Sequence, residues 1–215
     1  MKKEHRDYEY MFWTDKTIRE FMDAHYHWFI PTFDSYRYPI QRVDAFRYFV
    51  LYHFGGIYVD LDIGARQSLD LILPYGLVLP ITKPFGFSND LMAVRPRHPF
   101  MELLMRKLVS ANRNYLVPYL TVMASTGPLF MSSQYHWADK EQIADAVAMD
   151  GSLYGGQRGL IFHVDGSSWH EQDAKYILWL WDNFCPLFLL KYTMLLAALV
   201  AVIVFRLKYI DRIQR

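Results

Sequence analysis

The chain has 215 residues, enough for one domain of ordinary size with a full core and one appended segment. Its 23 basic and 22 acidic side chains leave a formal net charge of +1, so nothing in the charge balance points to a general nucleic-acid binder. Cys185 is the only cysteine, so an intrachain disulfide is excluded too.

In chain order, residues 1–6 read as a charged, frayed end. Tyr8 to Trp13, rich in aromatics, reads as a strand, with Thr14 and Asp15 capping a helix from Lys16 to His27. Phe29 to Tyr38 mixes proline and aromatics and reads as a loop. Pro39 suits the first turn of a helix that carries Arg42, Asp44 and Arg47. On it Val43, Phe46, Val50, Leu51 and Phe54 recur at helical spacing, and Gly55 suits its C-terminus. Ile57 to Leu61 then reads as a short buried strand leading to an acidic tip. On such a strand Asp60 and Asp62 project to one side, and two carboxylates so placed repel each other unless a cation sits beside them. Hard oxygen donors of this kind suit Mg²⁺ or Mn²⁺. Read alone, Asp-x-Asp also fits a solvated strand end. Asp44 and Arg47, three apart on one helix face, either form a surface ion pair or jointly grip a ligand.

Beyond Asp62, Gly64 to Leu73 reads as an amphipathic turn leading to a strand near Leu77 to Leu79. Phe85 to Asp90 is loop-like, with Asn89 and Asp90 as turn residues, and Leu91 to Val94 is a strand. Pro99 to Val109 reads as a helix with Phe100, Leu103, Leu104 and Leu108 inward. Thr126, Gly127 and Pro128 mark a turn before a helical segment from Leu129 to Ser133. Asp139 to Ala148 is weakly amphipathic, and Gly151 to Gly159 has the glycine content of a mobile loop, compositionally a lid. Leu160 to Phe162 is a short apolar strand followed by His163, and Gly166 to Ser168 form a tight loop presenting Trp169 and His170. From Cys185 to Phe205 nearly every residue is apolar except Lys191, a run of about the 20 residues that span a bilayer as a helix. A buried or interfacial helix is the alternative. Arg206, Lys208, Arg212 and Arg215 follow, which places the C-terminus in the cytosol by the positive-inside tendency.

Arg42, Asp44 and Arg47, followed by Gly55, Gly56, Ile57, Tyr58, Asp60 and Asp62, resemble the signature of sugar-nucleotide glycosyltransferases with an Asp-x-Asp sugar-binding region. That family includes initiating α-1,6-mannosyltransferases and the catalytic subunits of mannosyl-inositol-phosphoceramide synthase. Trp13, Thr14 and Asp15, Asn89 and Asp90, and Thr126 to Pro128 extend the resemblance. His163 with Gly166, Ser167, Ser168, Trp169 and His170, then Asp173 and Ala174, resembles the inositol-phosphoceramide mannosyltransferases in particular.

The resemblance implies an α/β, GT-A-like fold: an open twisted, Rossmann-like sheet that binds a nucleotide sugar. The strand and helix that precede Trp13 in the family are not found here, so the N-terminal part of the nucleotide-binding fold is expected to be missing, with a complete but smaller sheet as the alternative. Because no signal peptide precedes a domain expected to be luminal, the missing segment would carry its own anchor. Residues 1–183 would form the catalytic domain, 184–205 a transmembrane helix and 206–215 a basic cytosolic tail. The implied activity is retaining transfer of mannose from GDP-mannose to a membrane lipid such as inositol phosphoceramide. By the same resemblance, Asp60, Asp62 and His163, with His170 as the fallback, would hold Mn²⁺ or Mg²⁺. Arg42, Asp44, Arg47, Tyr58, Asn89, Ser168 and Trp169 would bind the donor, and Asp90 would position the sugar or an acceptor hydroxyl. Thr126 to Pro128 would line the acceptor side. The setting would be the Golgi membrane, with the domain luminal and a regulatory subunit as partner. The rival expectations are another nucleotide sugar with a glycan or protein acceptor, and a non-catalytic fragment that binds a partner transferase.

Overall fold

A computed structural model of the chain describes residues 5–82, 86–115, 117–155, 158–164 and 179. The chain divides into two compact units, Met1–Trp169 and His170–Arg215, and all described residues except Trp179 lie in the first.

Thr14 starts the first helix, α1 (Asp15–His25), through a capping box: its hydroxyl accepts from the Thr17 N–H and its own N–H donates to the Thr17 hydroxyl. The strand expected at Tyr8 to Trp13 does not form. Its aromatics find side-chain partners instead of a ladder: Trp13 packs edge-on against Phe21 and Phe46, and the Tyr8 hydroxyl donates to Asp70 at 2.5 Å. Nor is Phe29 to Tyr38 a loop. A 3-10 turn at His27–Phe29 runs into α2 (Ile30–Ser35), where Pro31 sits in the first turn and gives up no helical hydrogen bond.

Helix α3 (Pro39–Phe54) opens at Pro39 and closes on Gly55, whose N–H reaches the Leu51 carbonyl at 2.9 Å. Gly55 has φ +69°, and a Cβ there would stand 2.5 Å from Pro96 Cδ, so only glycine fits. The helix is covered on nearly every side: Ala45, Phe46, Tyr48, Phe49, Val50 and Leu51 are all buried, and so are Gln41, Asp44 and Arg47.

Next come β1 (Gly56–Val59), β2 (Ile63–Ala65), a 3-10 turn at Leu69–Ile72, β3 (Leu77–Pro80) and β4 (Leu91–Val94). Helices α4 (Pro99–Ala111), α5 (Pro118–Ser125) and α6 (Pro128–Trp137) lead to β5 (Ala146–Met149), α7 (Gly151–Gly155) and β6 (Ile161–His163). One sheet runs β1-β4-β3-β5, and β2 pairs with β6 in a second. β4 is antiparallel to both neighbours and β5 is parallel to β3. The fold is α/β, but its sheet is mixed and largely antiparallel, which departs from the parallel order of a Rossmann-like sheet.

Alternation along the strands explains why the larger sheet is covered on both faces. Leu77, Leu79, Met92 and Val94 join the helical core around α3 and α4, whereas Val78, Leu91 and Ala93 join a second core with Ile63, Leu69, Ile72, Tyr154, Leu160 and Ile161. Strand β5 and helix α7 were not expected in the mixed-charge and glycine-rich segments; pairing with β3 makes the first a strand. The transmembrane helix expected at 184–205 and the tail at 206–215 lie outside the described residues. Among the described residues no helix is long and apolar enough to cross a membrane.

Candidate functional site

Topology gathers the acidic residues. Because β1 and β4 are antiparallel with Val59 opposite Leu91, the end of β1 meets the start of β4, and the Asp60 N–H donates to the Asp90 carbonyl at 2.8 Å. The chain then turns: the Ile63 N–H donates to the Asp60 carbonyl at 3.1 Å, so Asp60, Leu61 and Asp62 lie on a turn. The alternation expected of a continuing strand therefore stops at Asp60. Strand β6 returns against β2 with His163 opposite Ile63, and the Val164 N–H donates to the Asp62 carbonyl at 2.7 Å.

A buried polar network stands behind this turn. Gly55 and Gly56 reverse the chain so that β1 runs back along α3, which brings Arg47 beside Asp60. The Arg47 guanidinium pairs with Asp44 Oδ1 at 2.8 Å, donates to the Asn89 carbonyl at 2.6 Å, and reaches Asp60 Oδ1 at 3.5 Å. Its Cζ lies 4.9 Å from the centre of the Tyr58 ring, and the Tyr58 hydroxyl donates to Asp60 Oδ1 at 2.9 Å. Asp44 also accepts from the Asn89 amide at 3.2 Å and the Thr126 hydroxyl at 3.1 Å. Tyr48 donates to the Thr126 carbonyl at 2.7 Å, and the Gln41 amide to Ser125 Oγ at 2.7 Å, fastening α3 to the α5–α6 junction. Gly127 belongs to that junction, and a Cβ on it would lie 3.5 Å from Asp44 Oδ2.

Burial pushes the Asp60 carboxyl above its ordinary range; Arg47 and Tyr58 oppose the push, and the carboxylates of Asp90 and Asp62 add to it. Burial likewise pushes Asp44 up against the pull of Arg47. Arg47 stays charged, because its acidic and phenolic neighbours outweigh the burial that disfavours it. Asp90 behaves differently. Burial pushes it up, but hydrogen bonds from His163, Ser88 and Tyr154 hold it below the usual carboxylate range, and the bond to Asp90 raises His163 in turn.

Residues 1–78 match the family model described as the glycosyltransferase sugar-binding region containing DXD motif, and that span takes in Asp60 and Asp62. Those residues are similar to a DXD sugar-binding region. The chain is 41% identical over 205 residues to inositol phosphoceramide mannosyltransferase 2 of Schizosaccharomyces pombe, covering 87% of this chain and 59% of that protein. It is 42% identical over 178 residues to mannosyl phosphorylinositol ceramide synthase CSH1 of Saccharomyces cerevisiae, covering 80% of this chain and 47% of that protein. The chain thus spans about half the length of the curated relatives it matches. A solved structure of PaToxG glycosyltransferase aligns with 61% of this chain and 48% of its own, at 20% identity and a TM-score of 0.40.

Within and around the DXD region the structure brings together Asp44, Arg47, Tyr58, Asp60, Asp62, Asn89, Asp90 and His163. It does not bring Arg42 into this group: its guanidinium donates to the carbonyls of Phe33, at 3.2 Å, and Tyr36, at 3.0 Å, and so ties α2 to α3. Ser168, Trp169 and His170 lie outside the described residues. The DXD family implies a divalent metal, and the donor set suits one: Asp60 and Asp62 offer hard oxygens on one turn, where a cation would relieve the mutual push of the carboxylates. Among the described residues no group of three or more His, Cys, Asp or Glu side chains is gathered for a metal. His163, expected as the third ligand, turns its Nε2 to Asp90 Oδ2 at 3.0 Å. The sequence carries no separate signal for Tyr48, Ser88 and Tyr154, which hydrogen-bond into this ensemble; Gln41, which bonds to Ser125 beside it, was not expected either. Gln41 was open to detection, since it lies three residues before Asp44 on the same helical face.

Proposed function

We propose that the DXD region binds the diphosphate of GDP-mannose through Mn²⁺, and that the chain serves retaining transfer of mannose to inositol phosphoceramide at the luminal face of the Golgi membrane. On this reading the fold is of GT-A type. The observation that carries it is the position of Arg47, which is wholly buried yet reaches from Asp44 on α3 to Asp60 on the acidic turn. A buried guanidinium held by a carboxylate and a backbone carbonyl is a rigid support, so Asp60 is presented in one orientation.

Asp60 and Asp62, with His163, would hold the cation. When bound, such a metal neutralises negative charge that grows on the departing diphosphate. The chain's own residues prepare for this. Tyr58 and Arg47 orient Asp60, and the β2–β6 pairing fixes the backbone of Asp62. Asn89, on the β4 side, ties α3 to the Asp90 segment: its amide donates to Asp44 and its carbonyl accepts from Arg47. The names of the fungal relatives support this choice of acceptor class.

Calorimetry of the detergent-solubilised chain tests the reading. Binding of GDP-mannose is expected to require Mn²⁺, to vanish in an Asp60→Ala, Asp62→Ala double variant and to outcompete UDP-galactose. Preference for UDP-galactose would change the donor. A folded chain that binds neither nucleotide would sink the transferase reading in favour of a partner-binding role.

A further inference from the structure

Asp90 sits at the centre of a second cluster, one that the buried network does not include. Three donors converge on its carboxylate. The Ser88 hydroxyl donates to Oδ1 at 2.5 Å, and at Oδ2 the Tyr154 hydroxyl and His163 Nε2, the latter at 3.0 Å, both arrive. Tyr154 and His163 also touch each other, with 3.1 Å between the phenol oxygen and Nε2. Tyr154 is buried on α7, the short helix that begins at Gly151, and His163 ends β6.

The proton inventory of these groups decides the state of the ring. An ionised carboxylate only accepts, and a phenol has one proton to give. Tyr154 gives its proton to Asp90, so its oxygen is left to accept. The nitrogen facing both a carboxylate oxygen and a phenol oxygen must then be the one that carries hydrogen. We propose that Asp90, clamped by Ser88 and Tyr154, is a positioning residue that fixes His163 as the Nε2–H tautomer and leaves the lone pair on Nδ1. A histidine ring nitrogen needs that lone pair to bind a metal, and a carboxylate on the opposite nitrogen is the usual way to set it. This rests on the reading of the DXD region as a metal site for its purpose, but not for its geometry. It gives Asp90 a role exercised through His163 and brings Tyr154 and Ser88 into the site.

Long-range proton–nitrogen correlation spectra of the metal-free chain test the assignment, recorded at a pH above the raised titration range of His163, with His163→Gln identifying the ring. The parent chain is expected to show Nε2 protonated and Nδ1 bare. Asp90→Asn replaces an acceptor with an amide that can donate, so the ring is expected to turn over to Nδ1–H, with Mn²⁺ affinity falling about 10-fold or more. Tyr154→Phe keeps the carboxylate, so the tautomer is expected to persist while Mn²⁺ affinity falls less. A parent ring protonated at Nδ1 overturns the proposal, and this holds even if Asp90→Asn does not fold. An Asp90→Asn chain with unchanged ring nitrogens overturns it as well. If the parent chain binds no Mn²⁺, the metal reading falls, while the spectra still decide the role of Asp90.

Discussion

Arg47 shows how one side chain can determine two carboxylates. With Asp44 and Asp60 both drawn to its guanidinium, removing it leaves Asp44 buried without its cation. Arg47→Met is therefore expected to cost about 3–5 kcal/mol, the usual loss when one partner of a buried pair is deleted. Urea denaturation measures it, and a loss under 1 kcal/mol would mean that Asn89 and Thr126 alone hold Asp44. Arg47→Lys keeps the charge, but a point ammonium lacks the planar fork that serves Asp44, the Asn89 carbonyl and Asp60 together. Its stability is expected to fall between the two, and its GDP-mannose binding to weaken more than its stability does. Equal donor affinity for the Lys and Arg proteins would show that the orientation of Asp60 does not matter.

Elements carry a second kind of constraint, at their junctions. Gly55→Ala puts a methyl against Pro96 at a positive φ, and a loss of about 1–3 kcal/mol is expected from the strain alone. A thermal melt that does not move would contradict the close approach of the end of α3 to Pro96 in the β4–α4 loop. The N-terminus of α4 adds a pH dependence. His98 is wholly buried; its Nδ1 accepts the Phe100 N–H at 3.1 Å and its Nε2 faces Asp145 Oδ1 at 2.9 Å. Burial lowers its pKa below 6.5, and Asp145 only partly restores it. The folded ring resists protonation more than the unfolded one, so this contribution is whole above pH 6.5 and is lost as pH falls through the lower folded value. Asp145 has the same sign: burial pushes it up, but His98 and Arg95 hold it below the usual carboxylate range, so a further part is lost at more acid pH. The stability gap between the parent and His98→Asn, measured in urea, is expected to narrow from pH 7 to pH 5; a constant gap would refute it.

Junctions were also where the sequence was most legible. Pro39 and Gly55 bracket α3, Thr14 starts α1, and Pro99 opens α4, because each residue has a backbone or capping property that few others share. β5 escaped because Ala146 to Met149 has little strand propensity of its own and becomes a strand by pairing with β3. α2 escaped because a proline in a first turn looks, in sequence, like a proline in a loop. In the site, Asp60 and Asp62 stood out as charges, whereas the turn between them depends on where β4 and β6 arrive. Tyr154 was hidden among glycines, and only the return of α7 to Asp90 gives it a partner.

At the scale of the whole molecule, ligand and stability are linked. A nucleotide sugar and cation that bind only the folded chain raise its unfolding free energy, by about 2.7 kcal/mol at a free ligand concentration of 100 times Kd. The melting temperature is expected to rise when Mn²⁺ and GDP-mannose are present together and to return when the metal is chelated. A rise with GDP-mannose alone that survives chelation would place the nucleotide somewhere other than the acidic turn.

The pairing of Ile63 with His163 has a consequence in time as well as in space. The acidic turn is made roughly 100 residues before the strand that closes against it, about 5–20 s at ordinary rates of synthesis. During that interval β2 has no partner, so a chain halted before residue 161 carries the acidic turn without its closing strand. Completion of the acidic turn therefore reports that synthesis has passed β6.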